Sequence, residues 1–126
     1  EKRTLSHFPN VTFSIFGGLA FVDPRHVKEE DKSEAKKALD AGREAVMSGK
    51  YDLVVLDEVN VAVAWKLVEL EDLIKLIEDK PDSVELILTG RYADPRIVKM
   101  ADLVTEMIAI KHPYDEGVQA RAGFEY

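Results

Sequence analysis

Cysteine is absent from all 126 residues, so disulfides and thiolate metal sites are excluded. Also missing are a basic-then-apolar leader and any apolar run near the roughly 18 residues that a membrane span needs. The expectation is a cytoplasmic chain that meets no membrane. Lysine and arginine number 17 against 24 acids, a net charge of −7, with no basic run to offset it. A nucleic-acid backbone would be repelled, so no nucleic-acid partner is expected. His7 and His26 lack metal-ligand spacing with each other or with any acid, which argues against zinc. No GxSxG serine elbow occurs, and neither GxxxxGK[ST] nor GxGxxG is present to cradle a phosphate.

What is there reads as a single α/β domain over residues 1–126, long enough to bury roughly two thirds of the surface of its unfolded chain. Residues 11–16, VTFSIF, alternate like a strand and run into Gly17-Gly18. From Asp31, the positions Ala35, Ala38, Leu39, Gly42, Ala45 and Val46 share one helix face, with Gly49 as a stop. Residues 52–57 form a short β-branched apolar run, the pattern of a parallel strand buried on both faces. A second helix is expected through Leu70, Leu73, Ile74 and Ile77, ended by Pro81. Residues 84–88 read as another strand, Asp94-Pro95 as the start of a helix reaching about Met100, and residues 103–110 as a further strand. This alternation predicts a mostly parallel sheet with helices on both faces.

In such a sheet, ligands gather beyond the carboxyl ends of the strands. LVVLDEV, residues 53–59, places Asp57 and Glu58 at such an end, where oxygen ligands suit a hard cation. Alternatively, Asp57 caps the following helix and Glu58 faces solvent. The next strand ends in Thr89-Gly90-Arg91, and Arg91 would bring a guanidinium suited to phosphate to the same edge. It could equally pair with Asp57 or Glu58. Lys111 and His112, in KHPYD, are further candidates for an anion contact. Trp65, Leu67 and Val68 read as core or interface, and the VNVAVAW segment as either internal or part of a subunit contact.

LVVLDEVNVAVAWKLVELEDLIKLIEDKP, LILTGRYADPRIVKMADLVTEM and IKHPYDEGVQARAGFEY resemble, in order and spacing, the P-loop type of ATP:corrinoid adenosyltransferase, also called cob(I)alamin or cob(I)yrinic acid a,c-diamide adenosyltransferase. The resemblance runs from about Tyr51 onward. It implies a P-loop NTPase-like (RecA-like) fold and an enzyme of cobalamin biosynthesis or salvage. That enzyme moves the 5′-deoxyadenosyl group of ATP to the cobalt of a reduced corrinoid and releases triphosphate. It further implies Mg²⁺ or Mn²⁺ at Glu58 with Asp57 beside it, and ATP phosphates at Arg91, Thr89 and Gly90. A corrinoid loop would include Gly18, Leu19 and Phe21. A homodimer and an electron-donating reductase are the partners implied. The family's phosphate loop would lie before residue 1. With no methionine at position 1, the expectation is a chain whose N-terminal part is missing, along with a central strand. The alternative is a shortened, non-catalytic module that binds a corrinoid or a partner and has lost its phosphate loop.

Overall fold

A computed structural model describes residues 2–5, 7–18 and 22–121. The elements run α1 (Lys2–Leu5), α2 (Glu29–Met47), β1 (Leu53–Leu56), α3 (Val59–Ala64), α4 (Leu70–Asp79), β2 (Glu85–Leu88) and α5 (Pro95–Met100), followed by a 3₁₀ turn at Pro113–Glu116. The architecture is α/β. β1 and β2 pair in parallel, in a register that sets Leu53 beside Glu85 and Leu56 beside Leu88.

Local chemistry explains the helices. Glu29, Glu30 and Asp31 fill the first turn of α2, where carboxylates favour the positive end of the helix dipole, and Asp31 accepts the Lys28 N–H at 2.9 Å. α5 opens as the sequence predicts: the Asp94 side chain accepts the Arg96 N–H at 2.8 Å, with Pro95 in the first turn. α4 stops at Asp79, two residues before Pro81.

One apolar cluster joins these elements. It contains Leu39 and Val46 of α2, Val54 of β1, Val59 of α3, Leu73 and Leu76 of α4, Val84 before β2, and Ile97 of α5. Leu73, Leu76 and Val46 are fully buried. α2 comes close to β1 because Gly42 has no side chain: a Cβ there would lie 2.6 Å from Leu56 Cδ2. Two ion pairs fasten the helices from outside. Arg43 Nη1 meets Asp79 Oδ2 at 2.8 Å, linking α2 to α4, and the Arg96 guanidinium forks onto both Glu71 oxygens, linking α5 to α4. The Arg96 hydrogen bonds hold the Glu71 carboxyl below its ordinary range.

Three expectations from the sequence need correcting. β1 is not buried on both faces. Val54 is buried, whereas Leu53 and Val55 are each 50% exposed and Ile87 of β2 is 45% exposed. Successive strand residues point to opposite faces, so the helices that cover Val54 leave its neighbours uncovered among the described residues. Among the described residues, helices on both faces are therefore not seen.

Residues 11–16 and 103–110 form no strand either. Their composition suits one, yet a strand exists only where its backbone finds a ladder partner, and neither segment pairs with β1 or β2. Leu103, Met107 and Ile110 are accordingly open to solvent. Residues 11–17 are tied down by side chains instead: Tyr51 Oη bonds Thr12 Oγ1 at 3.2 Å, and Gly17 N–H donates to Glu34 Oε2 at 3.4 Å.

The VNVAVAW segment is internal at its start and more open toward its end, where Ala64 is exposed. Val59, Asn60 and Val61 are buried in α3, Val68 is buried beyond it, and Trp65 and Leu67 are partly covered.

Candidate functional site at the carboxyl edge of the sheet

Because Leu56 and Leu88 are register partners, the residues that follow them leave the sheet at one edge. Asp57-Glu58 and Thr89-Gly90-Arg91 thus become neighbours, as the strand order implies. The ladder continues one step further, with Thr89 N–H donating to Leu56 O at 3.2 Å.

Thr89 then knits the two segments together. Its hydroxyl donates to Asp57 Oδ1 at 2.6 Å, within the range for a hydroxyl on a carboxylate. The same oxygen accepts the Glu58 N–H at 2.9 Å. Asn60 adds two bonds: its N–H donates to Thr89 O at 3.1 Å and its Nδ2 to Gly90 O at 3.4 Å. Asn60 is 6% exposed, and its Oδ1 is buried with no partner among the described residues.

The backbone is unusual at both sides of this junction. Glu58 sits in the left-handed region at φ 58, sparsely populated by residues with a side chain. Gly90, at φ 113, faces it closely. A Cβ on Gly90 would lie 3.1 Å from Glu58 Cα and 3.2 Å from Glu58 Oε2. Glycine is needed there for its conformation and for the space it leaves.

Asp57 makes no helix cap. Glu58 occupies the N-cap position of α3 and neither acid caps the helix through its side chain, while the Asp57 carboxylate takes the Thr89 hydroxyl. Arg91 forms no ion pair with Asp57 or Glu58. It is exposed, with its guanidinium 5.8 Å from the centre of the Tyr92 ring. A cavity of about 490 Å³ is lined by Val63, Lys66 and Leu70 together with Tyr92 and Asp94, and neither acid of the pair lines it.

Among the described residues, no group of three or more histidines or acids is placed to hold a metal. Asp57 and Glu58 are exposed and offer oxygen donors side by side. By their chemistry they could supply two oxygen ligands to a hard cation, and a complete ligand set would need oxygens from outside this acid pair.

Other expected contacts fall elsewhere. Lys111 Nζ pairs with Glu116 Oε1 at 3.1 Å, and His112 Nδ1 accepts the Tyr114 N–H at 3.1 Å, so both serve the 3₁₀ turn. Gly18 is exposed after the residue held by Glu34. Leu19 and Phe21 lie outside the described residues. Sequence reasoning passed over Asn60, whose signal was a single amide inside an otherwise apolar VNVAVA.

Residues 1–126 match the family model described as ATP:corrinoid adenosyltransferase BtuR/CobO/CobP. A corrinoid adenosyltransferase of Sinorhizobium sp is 32% identical over 121 residues, covering 95% of this chain and 56% of that protein. The Pseudomonas aeruginosa corrinoid adenosyltransferase is 30% identical over 127 residues, covering 100% of this chain and 62% of the relative. The corrinoid adenosyltransferase CobA of Salmonella typhimurium is 32% identical over 125 residues, covering 99% and 63%. The chain thus spans 56 to 63% of the length of these relatives. The family match covers the acid pair, the Thr89-Gly90-Arg91 turn and every described element, and the chain belongs to the ATP:corrinoid adenosyltransferase family.

Proposed function

We propose that the protein carrying this chain transfers the 5′-deoxyadenosyl group of ATP to the cobalt of a reduced corrinoid, on a P-loop NTPase-like fold that is cytoplasmic and dimeric. The observation that carries this reading is the junction of Asp57-Glu58 with Thr89-Gly90 at the carboxyl edge of a parallel sheet. Family membership supplies the reaction.

In this reaction Co(I) attacks C5′ of the ribose, a Co–C bond forms, and the C5′–O bond breaks with its electron pair leaving on triphosphate. The cobalt supplies both electrons, so no protein nucleophile is needed. What remains for the chain is to align the two substrates and to balance the charge of the leaving group. Asp57 and Glu58 would hold Mg²⁺ or Mn²⁺. When bound, that ion supplies charge neutralisation at the phosphate oxygens. Arg91, exposed at the same edge, would supply a fixed positive charge to the triphosphate. Gly18, Leu19 and Phe21 would approach the corrin ring.

The test is anaerobic mixing of the protein with a Co(I) corrinoid and MgATP. Formation of the Co–C bond is followed by absorbance, and release of triphosphate is followed in parallel. The expected result is one triphosphate per adenosylcorrinoid, with Glu58→Gln reducing the rate by more than about tenfold because a charged ligand is lost. Absence of adenosylcorrinoid from the wild-type protein overturns the reading.

A further inference from the structure

Thr89 was expected among the phosphate ligands, but its hydrogen bonds point to another task. A threonine hydroxyl has one proton to donate and two lone pairs with which to accept. Phosphate oxygens at neutral pH chiefly accept, so a hydroxyl that serves them must donate. The single proton of Thr89 is already given to Asp57 Oδ1 at 2.6 Å, and one lone pair takes the Glu58 N–H at 2.9 Å. Both bonds join the tip of β2 to the tip of β1, and the Thr89 main chain adds two more, to Leu56 and from Asn60.

We propose that Thr89 is a positioning residue for the acid pair: its hydroxyl orients the Asp57 carboxylate and pins the left-handed backbone of Glu58, leaving phosphate contact to other groups. Three features of the junction depend on this clamp. With Oδ1 occupied, Asp57 keeps Oδ2 for another partner. The Glu58 N–H lies at a helix start, where main-chain donors lack partners within the helix, and Thr89 satisfies it. Glu58 is also kept against Gly90, whose missing side chain makes the approach possible.

This inference rests on the proposed metal role of Asp57 and Glu58. The two roles for Thr89 differ in a measurable way. A phosphate ligand contributes to ATP binding with or without metal, whereas a residue that arranges metal ligands contributes only through the metal. The experiment measures ATP affinity in EDTA and in Mg²⁺ for the wild-type protein and for Thr89→Val, Thr89→Ser and Glu58→Gln. The ratio of the two affinities is the coupling between metal and nucleotide. Thr89→Val is expected to leave ATP affinity in EDTA within about twofold of wild type and to reduce the Mg²⁺ enhancement by about tenfold or more, as loss of a group that orients metal ligands does. Thr89→Ser, which keeps the hydroxyl, should restore the enhancement. Thr89→Ala removes the same hydroxyl with less bulk and gives the same reading if valine disturbs the fold.

A Thr89→Val protein that binds ATP more weakly in EDTA but keeps the full Mg²⁺ enhancement overturns the proposal. So does a serine variant no better than valine. In both cases the metal role survives if Glu58→Gln has lost the enhancement. If wild type shows no Mg²⁺ enhancement, or Glu58→Gln retains it, the metal assignment fails and this proposal fails with it.

Discussion

At Glu58 the main chain takes a conformation that an L-residue adopts at a cost of about 1–2 kcal/mol. The neighbours over-determine it: Thr89 holds its N–H, and Gly90 lies against its side chain. Strain of this kind persists only where surrounding contacts enforce it. Gly90→Ala should therefore act on Glu58 as much as on itself. The new methyl would meet main-chain atoms, which cannot swing aside as a side-chain tip can, and alanine at φ 113 is itself unfavourable. The expected outcome is a loss of about 1–3 kcal/mol of stability, read by chemical denaturation, together with a weaker Mg²⁺ effect on ATP binding. Unchanged stability would show that the junction yields more easily than its geometry implies. The sequence displayed the chemistry of these residues without their arrangement. LDE and TGR announced an acid edge and a glycine turn. The Thr89 clamp and the buried Asn60 could not be read, because both depend on which residues become neighbours when the strands pair.

The elements show where periodicity informs and where it fails. α2 and α4 appear almost where their apolar spacing placed them, since a helix carries its own hydrogen bonds and needs a neighbour only to cover one face. Strands have no such independence. Residues 11–16 and 103–110 have the composition of strands but make no ladder, and only pairing could have distinguished them from β1 and β2. α3 was missed for the opposite reason: VNVAVA alternates β-branched residues like a strand, yet its burial and its junction with Thr89 favour one and a half turns of helix. Two substitutions test the packing of elements. Gly42→Val puts branched bulk where even a Cβ would lie 2.6 Å from Leu56, and should destabilise the protein by about 1–3 kcal/mol by denaturant titration. Glu71→Gln tests the tie between α4 and α5. The Glu71 carboxyl titrates below its ordinary value when folded, so its contribution is complete above that ordinary value and disappears as pH falls through the depressed one. The melting temperature of Glu71→Gln should lie slightly below wild type at neutral pH, and the two curves should merge in acid. A gap that persists in acid would mean that the side chain acts by packing rather than by charge.

Across the whole molecule the asymmetry of the sheet dominates. One face turns Val54 into the core cluster that the helices share, while Leu53, Val55 and Ile87 present apolar side chains on the other. Contiguous apolar surface of this kind binds amphiphilic dyes. The 126-residue chain should enhance 8-anilinonaphthalene-1-sulfonate fluorescence, and the double variant Val55→Lys, Ile87→Lys should bring it down severalfold. Equal fluorescence from both would place the dye elsewhere. Sheet register carries a further consequence. The alternation that turns Val54 inward also sets Leu56 beside Leu88, and so Asp57 within reach of Thr89. A slip of one residue would expose the core face and separate Thr89 from Asp57 in the same movement. Folding of this protein is therefore self-checking: a misaligned chain assembles no acid edge, and the proposed metal-dependent nucleotide binding would report on how faithfully the strands have paired.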